Sequence, residues 1–199
     1  RGDCDVIGDV GFVVPTEALA MALGVPSANL AEIRRDVRSI VACIGRGEPS
    51  SKVSDSASTR LLARFESPPG GAVATVSMLY QNHDATASLF AATLLADARN
   101  KPRRNALART VRVATTDVHI GEVSVAAGET VEVSLEGKDH EFGAGLHSCP
   151  GVEMAGTIVG AMMSTLQNFA WQVDLAQATF APDGRASSLP RLLERSQPY

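Results

Sequence analysis

The sequence is poor in the residues that mark several large classes of protein. It has only three cysteines, an odd number at Cys4, Cys43 and Cys149, which does not suit a disulfide-bonded secreted scaffold. Aromatic residues make up 5% of the chain, and no run of basic residues is longer than the pair Arg103-Arg104. With a net charge of −4 and few aromatic rings to stack on bases, we expect no nucleic-acid partner.

The N-terminus carries no recognisable targeting signal. No charged segment precedes an apolar one, so no signal peptide is predicted. The sparse cysteines favour a reducing cytoplasm as the location of the protein. The first residue is Arg1 rather than Met, from which we expect a fragment or a processed chain. The 199 residues, 45% hydrophobic and 20% charged, suffice for one domain with a core of its own.

Hydrophobic periodicity predicts helices over much of the first hundred residues. After a short strand or extended lead-in at residues 5–14, Thr16 is the expected N-cap of a helix at residues 17–23. A second helix is predicted from an apolar stripe at helical spacing, formed by Leu30, Ile33, Val37, Ile40, Val41 and Ile44. Glycine, serine and proline at residues 45–58 then predict a loop, followed by a short helix at 59–65.

The longest apolar segment, residues 72–96, contains a single charged side chain, that of Asp84. Its length matches a transmembrane helix, but Gln81, Asn82 and His83 lie beside Asp84 at its centre, where lipid makes such polar groups costly. We therefore expect a buried helix of a soluble protein, with no membrane as partner.

The second half of the chain changes to the period-two pattern of strands. Valine and isoleucine alternate with polar residues at 111–135, around two glycine-containing turns, which predicts a small antiparallel sheet. A long helix is predicted at 152–169. The segment at 173–180, followed by a turn at 182–184, predicts a terminal hairpin.

A glycine-rich loop ahead of the long helix contains the most distinctive residues of the chain. Residues 142–151 read Phe-Gly-Ala-Gly-Leu-His-Ser-Cys-Pro-Gly. We expect Pro150 at the first helical position, where helix N–H groups and the positive end of the helix dipole would lie beside Cys149 and favour its thiolate as a ligand. The glycines would allow the backbone to approach a flat cofactor closely.

This loop resembles the cysteine-ligand loop of the cytochromes P450, Phe-Gly-x-Gly-x-His-x-Cys-x-Gly, at every specified position. Residues 112–121 also resemble the family's first sheet, and residues 23–26 resemble a junction between helix and loop in its bacterial members. Residues 72–96 resemble the helix that crosses over the haem. The resemblance implies a mainly α-helical fold with a small antiparallel β-sheet.

The resemblance predicts a single domain over residues 1–199. Its helical core would span about 16–96 and 150–169, its small sheet about 111–135 and its haem-ligand loop 142–151.

The resemblance also implies the residues of a haem site. Cys149 would ligate the iron of haem b as an axial thiolate, donating electron density and favouring O–O cleavage. His147 and Arg112 match positions that hold the haem propionates, through charge-assisted hydrogen bonds. Phe142 would pack beside the sulfur. The loop would fold beneath the porphyrin at three glycines, Gly143, Gly145 and Gly151.

The helix expected above the haem departs from the family pattern. Where the family reads Ala-Gly-x-Glu/Asp-Thr-Thr, residues 81–86 read Gln-Asn-His-Asp-Ala-Thr. Asp84 keeps the acid, whereas Ala85 replaces the alcohol that assists dioxygen activation, so proton delivery would use water or another side chain. The large side chains of Gln81 and Asn82 would occupy space above the iron. The candidate catalytic residues are Gln81, Asp84, Ala85 and Thr86.

Length is the second departure from the family. The N-terminal segments that cover one side of the haem have no counterpart in this sequence, and no Glu-x-x-Arg helix is recognisable ahead of Arg109. We therefore expect either a shortened member or a sequence from which parts of a longer chain are missing.

The expected function is that of a haem-thiolate oxidoreductase, a monooxygenase or peroxygenase, acting on a small organic substrate in bacterial specialised metabolism. A ferredoxin or a reductase would supply electrons, or peroxide would serve as the oxidant directly. The alternative is a degenerate, haem-free homologue that acts as a non-redox biosynthetic enzyme or as an interaction partner of another protein.

Simpler interpretations stay open for several of these residues. A zinc site formed by His140, His147 and Cys149 is the competing metal hypothesis, since all three are acceptable zinc ligands. Asp84 could make only a structural hydrogen bond, and Arg112 could be only a charge at a sheet edge.

Overall fold

The chain forms a group of packed helices followed by short antiparallel strand pairs. The computed structural model describes residues 5–45, 51–65, 71–137, 140–168, 171–180, 186–188 and 192–194. The α-helices are α1 (Val14–Ala22), α2 (Leu30–Gly45), α3 (Lys52–Arg64), α4 (Gly71–Arg99) and α5 (Val152–Asn168). The mainly helical class predicted from the sequence is confirmed.

Helix α4 lies at the centre of the helical part and joins two hydrophobic clusters. Its first half contributes Val76 and Leu79 to a cluster with α1, α2 and α3. Its second half contributes Leu89, Phe90 and Leu94 to another cluster, with residues near the N-terminus and with α5. The prediction of one long buried helix at residues 72–96 is therefore confirmed, because both halves of α4 are covered by other helices. None of the helices in the described part of the chain has the length and hydrophobicity that crossing a membrane requires.

The predicted apolar stripe of α2 packs as expected along most of its length. Leu30, Ile33, Val37 and Ile40 are buried, whereas Ile44, near the helix end, is exposed. Asp36 is buried beside this stripe and accepts two hydrogen bonds from Arg60 of α3, at 3.0 Å from Nε and 2.6 Å from Nη2. This ion pair fixes α3 against α2.

The N-terminal segment is not the strand or extended lead-in that was predicted. Val6–Gly11 is a π-helix, preceded by Asp5, whose side chain accepts from the Ile7 N–H. Val6 and Ile7 are neighbours and both are buried against the second hydrophobic cluster. A strand would place successive side chains on opposite faces, so one-sided burial of these two residues favours a helical conformation.

The prediction that Thr16 caps α1 is also wrong. The helix begins at Val14 with Pro15 in its first turn, so Thr16 already lies inside it. The Thr16 hydroxyl donates to the Phe12 carbonyl at 3.1 Å and is fully buried against α4. Its role is therefore in tertiary packing rather than in starting the helix.

Helix α3 is about twice as long as predicted. The sequence favoured a loop at 45–58, but residues from Lys52 onward are helical. Ser51 and Ser54 form a capping box, in which each side chain bonds the backbone N–H of the other. Serines that suggest a loop by composition therefore start this helix, and Leu61 of the same helix is buried against α2.

The predicted small sheet consists of two separate strand pairs. Strand β1 (Arg109–Val113) pairs antiparallel with β4 (Thr130–Ser134), and β2 (Val118–Ile120) pairs with β3 (Val123–Val125). The antiparallel arrangement is confirmed, but β1–β4 and β2–β3 do not share a ladder. Large aliphatic side chains remain exposed on these pairs, namely Val111, Val113, Val118, Ile120, Val123 and Val133.

The C-terminal strands confirm an antiparallel terminal element. Strand β5 (Trp171–Val173) pairs with β8 (Leu192–Glu194), and β6 (Thr179–Phe180) pairs with β7 (Ala186–Ser188). The predicted turn at residues 182–184 lies outside the described residues.

Candidate functional site

The cysteine loop is closed by its own backbone and attached to the helical core. The Cys149 N–H donates to the Phe142 carbonyl at 2.7 Å, which brings the two ends of the loop together. The Phe142 side chain packs on the hydrophobic cluster that α4 and α5 share. Cys149 itself is a free, exposed thiol. The loop thus presents one sulfur to the solvent from a backbone that is anchored at Phe142.

Gly143 shows why this loop requires glycine. Its φ is +73°, and a Cβ atom added there would lie 2.6 Å from the His147 carbonyl oxygen, closer than real Cβ atoms approach. Gly145 also has a positive φ, of 58°, with nothing within 4 Å of its added Cβ. At Gly151 the nearest atom is the Cys149 sulfur, at 3.9 Å. Gly143 therefore permits loop closure, whereas a side chain at Gly145 would meet open space and one at Gly151 would meet the sulfur.

Helix α5 begins at Val152, as the predicted range 152–169 has it, but Pro150 is not its first residue. Pro150 was expected at the first helical position, but the first helical residue is Val152, and Gly151 accepts the N–H bond from Ala155 at 2.9 Å. Gly151 therefore stands at the N-cap position, because its carbonyl takes the first intrahelical bond. The helix start is three residues beyond Cys149 rather than next to it.

The two predicted propionate ligands lie on different elements. His147 ends a short 3₁₀ turn at Gly145–His147 and is exposed. Arg112 lies on β1, and its Nη1 donates to Thr110 Oγ1 and to the Val111 carbonyl, both at 2.8 Å. Its guanidinium is therefore held along its own strand, and the propionate roles of both residues stay predictions.

The polar centre of α4 divides between two faces of the helix. Gln81 is exposed, and Asp84 and Ala85 are half-buried, so these three lie on the open face. Thr86 is buried on the other face, and its role as a catalytic candidate beside Asp84 stays a prediction. Its hydroxyl donates to Asn82 Oδ1 at 2.7 Å.

Asn82, which the resemblance places above the iron, is engaged on both sides of its amide. Its Nδ2 donates to the Pro15 carbonyl of α1 at 2.8 Å, and its Oδ1 accepts from Thr86. This side chain therefore fastens α4 to α1. Among the described hydrogen bonds, none joins residues 81–86 to the cysteine loop.

His83 was assigned no role from the sequence, yet it is buried between α4 and α1. Its Nδ1 lies 2.9 Å from Thr16 Oγ1, and its ring stacks on Phe12 with centroids 4.9 Å apart. Because Thr16 donates its own proton to Phe12, we assign Nδ1 as the donor in the bond to Thr16. Burial lowers the pKa of His83, opposed by the nearby charge of Asp84 and assisted by that of Arg38. The lowered pKa favours the neutral imidazole, which lies on the buried face of α4.

A second contact that the sequence did not reveal lies at the start of the loop. Glu141, directly before Phe142, forms a two-pronged ion pair with Arg103, including a bond of 2.7 Å from Nη2 to Oε2. The Ala106 N–H also donates to Glu141, at 3.2 Å. Hydrogen bonds from Arg103 and Ala106 hold the pKa of Glu141 below its ordinary value, against the opposing effect of burial. Only the pair Arg103-Arg104 stood out in the sequence, and nothing there indicated its partner.

The segment that carries Arg103 connects α4 directly to β1. Residues 100–108 contain no helix, which agrees with the absence of a recognisable Glu-x-x-Arg helix from the sequence. Asn105 of this segment donates to the carbonyls of Leu135 and Gly137, at 2.5 and 3.0 Å.

The competing zinc hypothesis receives no support from the geometry. Within the described part of the chain, no three His, Cys, Asp or Glu side chains come together as a metal-binding group. His140, His147 and Cys149 are all described and do not form one. Ligation by a single sulfur requires no such cluster, and the free, exposed thiol of Cys149 fits that chemistry.

Comparison of the sequence with known families finds nothing: no protein-family model and no curated protein matches the chain. Comparison of the fold does find relatives. CYP109E1 from Bacillus megaterium, in complex with testosterone, superimposes with a TM-score of 0.70 at 14% identity, covering 97% of this chain and 73% of that one. The open cytochrome P450 EryK from S. erythraea superimposes with a TM-score of 0.72 at 15% identity, covering 98% of this chain and 70% of that one.

Ligand-free cytochrome P450 TbtJ1 gives a TM-score of 0.72 at 18% identity, covering 96% of this chain and 71% of that one. These structures share the arrangement of helices and strands with the present chain over nearly its whole length. The fold predicted from the cysteine loop is therefore confirmed, and this chain has the fold of the bacterial cytochromes P450, spanning about 70% of their length.

Proposed function

We propose that this protein is a haem-thiolate oxidoreductase, a monooxygenase or peroxygenase, that binds haem b through Cys149. The observation that carries the proposal is the free, exposed Cys149 in a loop closed onto Phe142, within a cytochrome P450 fold. The substrate would be a small organic molecule of bacterial specialised metabolism. We further propose a cytoplasmic, single-domain protein that takes electrons from a ferredoxin or reductase, or uses peroxide.

Each residue of the loop has a separate part in this proposal. Cys149 would hold the iron, and Gly145 and Gly151 would leave room for the porphyrin. His147 and Arg112 would bind the propionates, for which the Arg112 guanidinium would leave its bonds to Thr110 and Val111. A bound haem would supply the activation of dioxygen or peroxide that oxidation requires.

The absorption spectrum of the purified protein tests the proposal. With added hemin, we expect the reduced carbon monoxide complex to show the red-shifted Soret band of thiolate ligation. Cys149→Ala should abolish that band, and Cys43→Ala, which removes a cysteine of α2 far from the loop in sequence, should keep it. A parent protein that stays colourless with hemin contradicts the proposal.

Proton delivery is the second part of the proposed function. Ala85 has no hydroxyl, and the Thr86 hydroxyl is donated to Asn82, so neither can relay a proton on the open face of α4. Of the candidate catalytic residues, Asp84, half-buried on that face, is the remaining one whose side chain can accept and release a proton. Gln81 lies beside it and would orient water.

We expect Asp84→Asn to slow turnover by about 100-fold, because a relayed proton transfer contributes roughly 10²–10⁴. Ala85→Thr should raise the fraction of electrons that reach product with dioxygen as oxidant. Asp97→Asn, at the exposed end of the same helix, is the matched control. Unchanged turnover and coupling in both central variants would mean that Asp84 makes only a structural contact.

A second candidate function is favoured by the strand pairs. They expose several large aliphatic side chains, among them Val111, Val113 and Ile120, and such apolar surface is typical of protein–protein contacts. A haem-free homologue that assists another biosynthetic protein, or that acts without redox chemistry, would use this surface. Two results together would favour this second function. The parent would fail to bind hemin, and it would form a complex with another biosynthetic protein that Val113→Asp abolishes.

A further inference from the structure

We propose that the ion pair between Arg103 and Glu141 is the contact that positions Cys149 for its cofactor. This inference rests on the proposed function, since it names the residues that hold the ligand loop in place. Arg103 is a positioning residue: it lies on the segment after α4 and acts on Cys149 through Glu141 and Phe142.

The pair is better sheltered than the ion pair on the nearby strands β1 and β4. The side chain of Glu141 is 13% exposed and that of Arg103 is 31% exposed. Both carboxylate oxygens are engaged by the guanidinium, and one also accepts the Ala106 N–H. By contrast, the pair of Arg109 with Glu132 on β1 and β4 has both side chains more than half exposed. A two-pronged, partly buried pair has a defined geometry, whereas exposed pairs contribute little.

The path from this pair to the sulfur is short and continuous. Glu141 is followed by Phe142, whose carbonyl accepts the Cys149 N–H at 2.7 Å. Any displacement of Glu141 therefore moves the acceptor that closes the loop. The Phe142 ring anchors the same point to the core from the other side.

Burial cannot hold the rest of the loop in place. Residues 144–150 are all exposed, so they contribute little apolar contact. The loop is thus held where it meets other elements: at α5 on one side, and at Glu141 and Phe142 on the other. The Arg103 segment fixes the incoming side further, because Asn105 binds the carbonyls of Leu135 and Gly137 at the end of β4.

Hydrogen exchange of the intact protein, without cofactor, is the direct test. The Cys149 amide is the donor that closes the loop, so its exchange rate reports loop order. We expect Arg103→Ala and Glu141→Gln each to raise that rate about tenfold or more, since each removes a charge-assisted pair. Exchange in α5 should stay unchanged, which shows that the variants fold. Arg109→Ala is the matched control and should leave the Cys149 amide unaffected.

Titration with hemin provides the second measurement. In the same two variants we expect hemin affinity to fall about tenfold and a larger fraction of the carbon monoxide complex to lack the thiolate band, because the sulfur is misplaced. The double variant with the two charges swapped, Arg103→Glu with Glu141→Arg, should recover both the protection of the Cys149 amide and the thiolate band. A merely structural pair would alter stability without changing the ligation spectrum.

The two proposals fail in different ways. If the parent binds no hemin, the proposed function and the cofactor part of this inference are overturned, while the exchange data still decide whether Arg103 orders the loop. If the Cys149 amide exchanges at the parent rate in Arg103→Ala and Glu141→Gln, the positioning role is overturned, whatever the parent does with hemin.

Discussion

The helical part and the region from β1 to Cys149 are stabilised by different interactions. In the helices, side chains such as Ile33, Leu79 and Phe90 are almost completely buried, and α4 takes part in both clusters. In the strand pairs and the cysteine loop, most side chains are exposed, and order comes from backbone ladders and polar contacts such as Arg103–Glu141. The cysteine loop is exposed, so burial contributes little to holding it, and an open loop is what the proposed cofactor would require.

The largest expected effect comes from removing buried apolar volume. Phe90 is 0% exposed, and Phe90→Ala should lower the free energy of unfolding by about 3–5 kcal/mol, because it leaves a cavity between α4 and the N-terminal π-helix. Val113 of β1 is 61% exposed, and Val113→Ala should change stability by less than about 0.5 kcal/mol. Urea unfolding measures both. Similar losses of unfolding free energy in the two variants would mean that a partner covers the strand pairs.

The next largest loss of stability is expected at one of two asparagines, each of which binds a carbonyl distant in sequence. Asn82 joins α4 to α1 and Asn105 joins the segment after α4 to the end of β4. Asn82→Ala should cost about 1–3 kcal/mol of global stability, since it leaves buried polar groups without partners. Asn105→Ala should instead raise hydrogen exchange near Leu135 with little change in global unfolding. Equal global losses would show that both regions unfold as one cooperative unit.

The smallest effect is a pH dependence confined to the helical part. Burial lowers the pKa of His83 in the folded protein, so the unfolded chain binds a proton more readily. The stability contributed by neutral His83 is therefore complete above about pH 6.5, the ordinary histidine pKa, and is lost as the pH falls below it. The slope for one proton is at most about 1.4 kcal/mol per pH unit.

Urea unfolding between pH 8 and pH 5 measures this slope. His83→Gln should reduce it, and His119→Gln, on exposed β2, should leave it as in the parent. A slope that His83→Gln does not change would assign the acid sensitivity to carboxylates, of which Glu141 has a lowered pKa.

Patterns that depend on neighbouring residues were predicted well. The period of 3.6 in α2 and the uninterrupted apolar segment of α4 predict helices because each element carries its own buried face. The cysteine loop was predicted from its glycines and cysteine, since positive φ angles and close backbone approach are properties of individual residues. Failures occurred where local signals were ambiguous, as for the π-helix at Val6–Gly11 and for the serines that cap α3.

The sequence by itself determined where most of the helices lie, that β1 to β4 pair antiparallel and that Cys149 projects from a glycine-rich loop. Only the tertiary structure decided that Asn82 bonds the Pro15 carbonyl of α1, that His83 bonds Thr16, and that Arg103 holds Glu141. The physical reason is separation along the chain. Backbone conformation depends on nearby residues, whereas a hydrogen bond between side chains 38 or 67 positions apart exists only after packing brings its partners together.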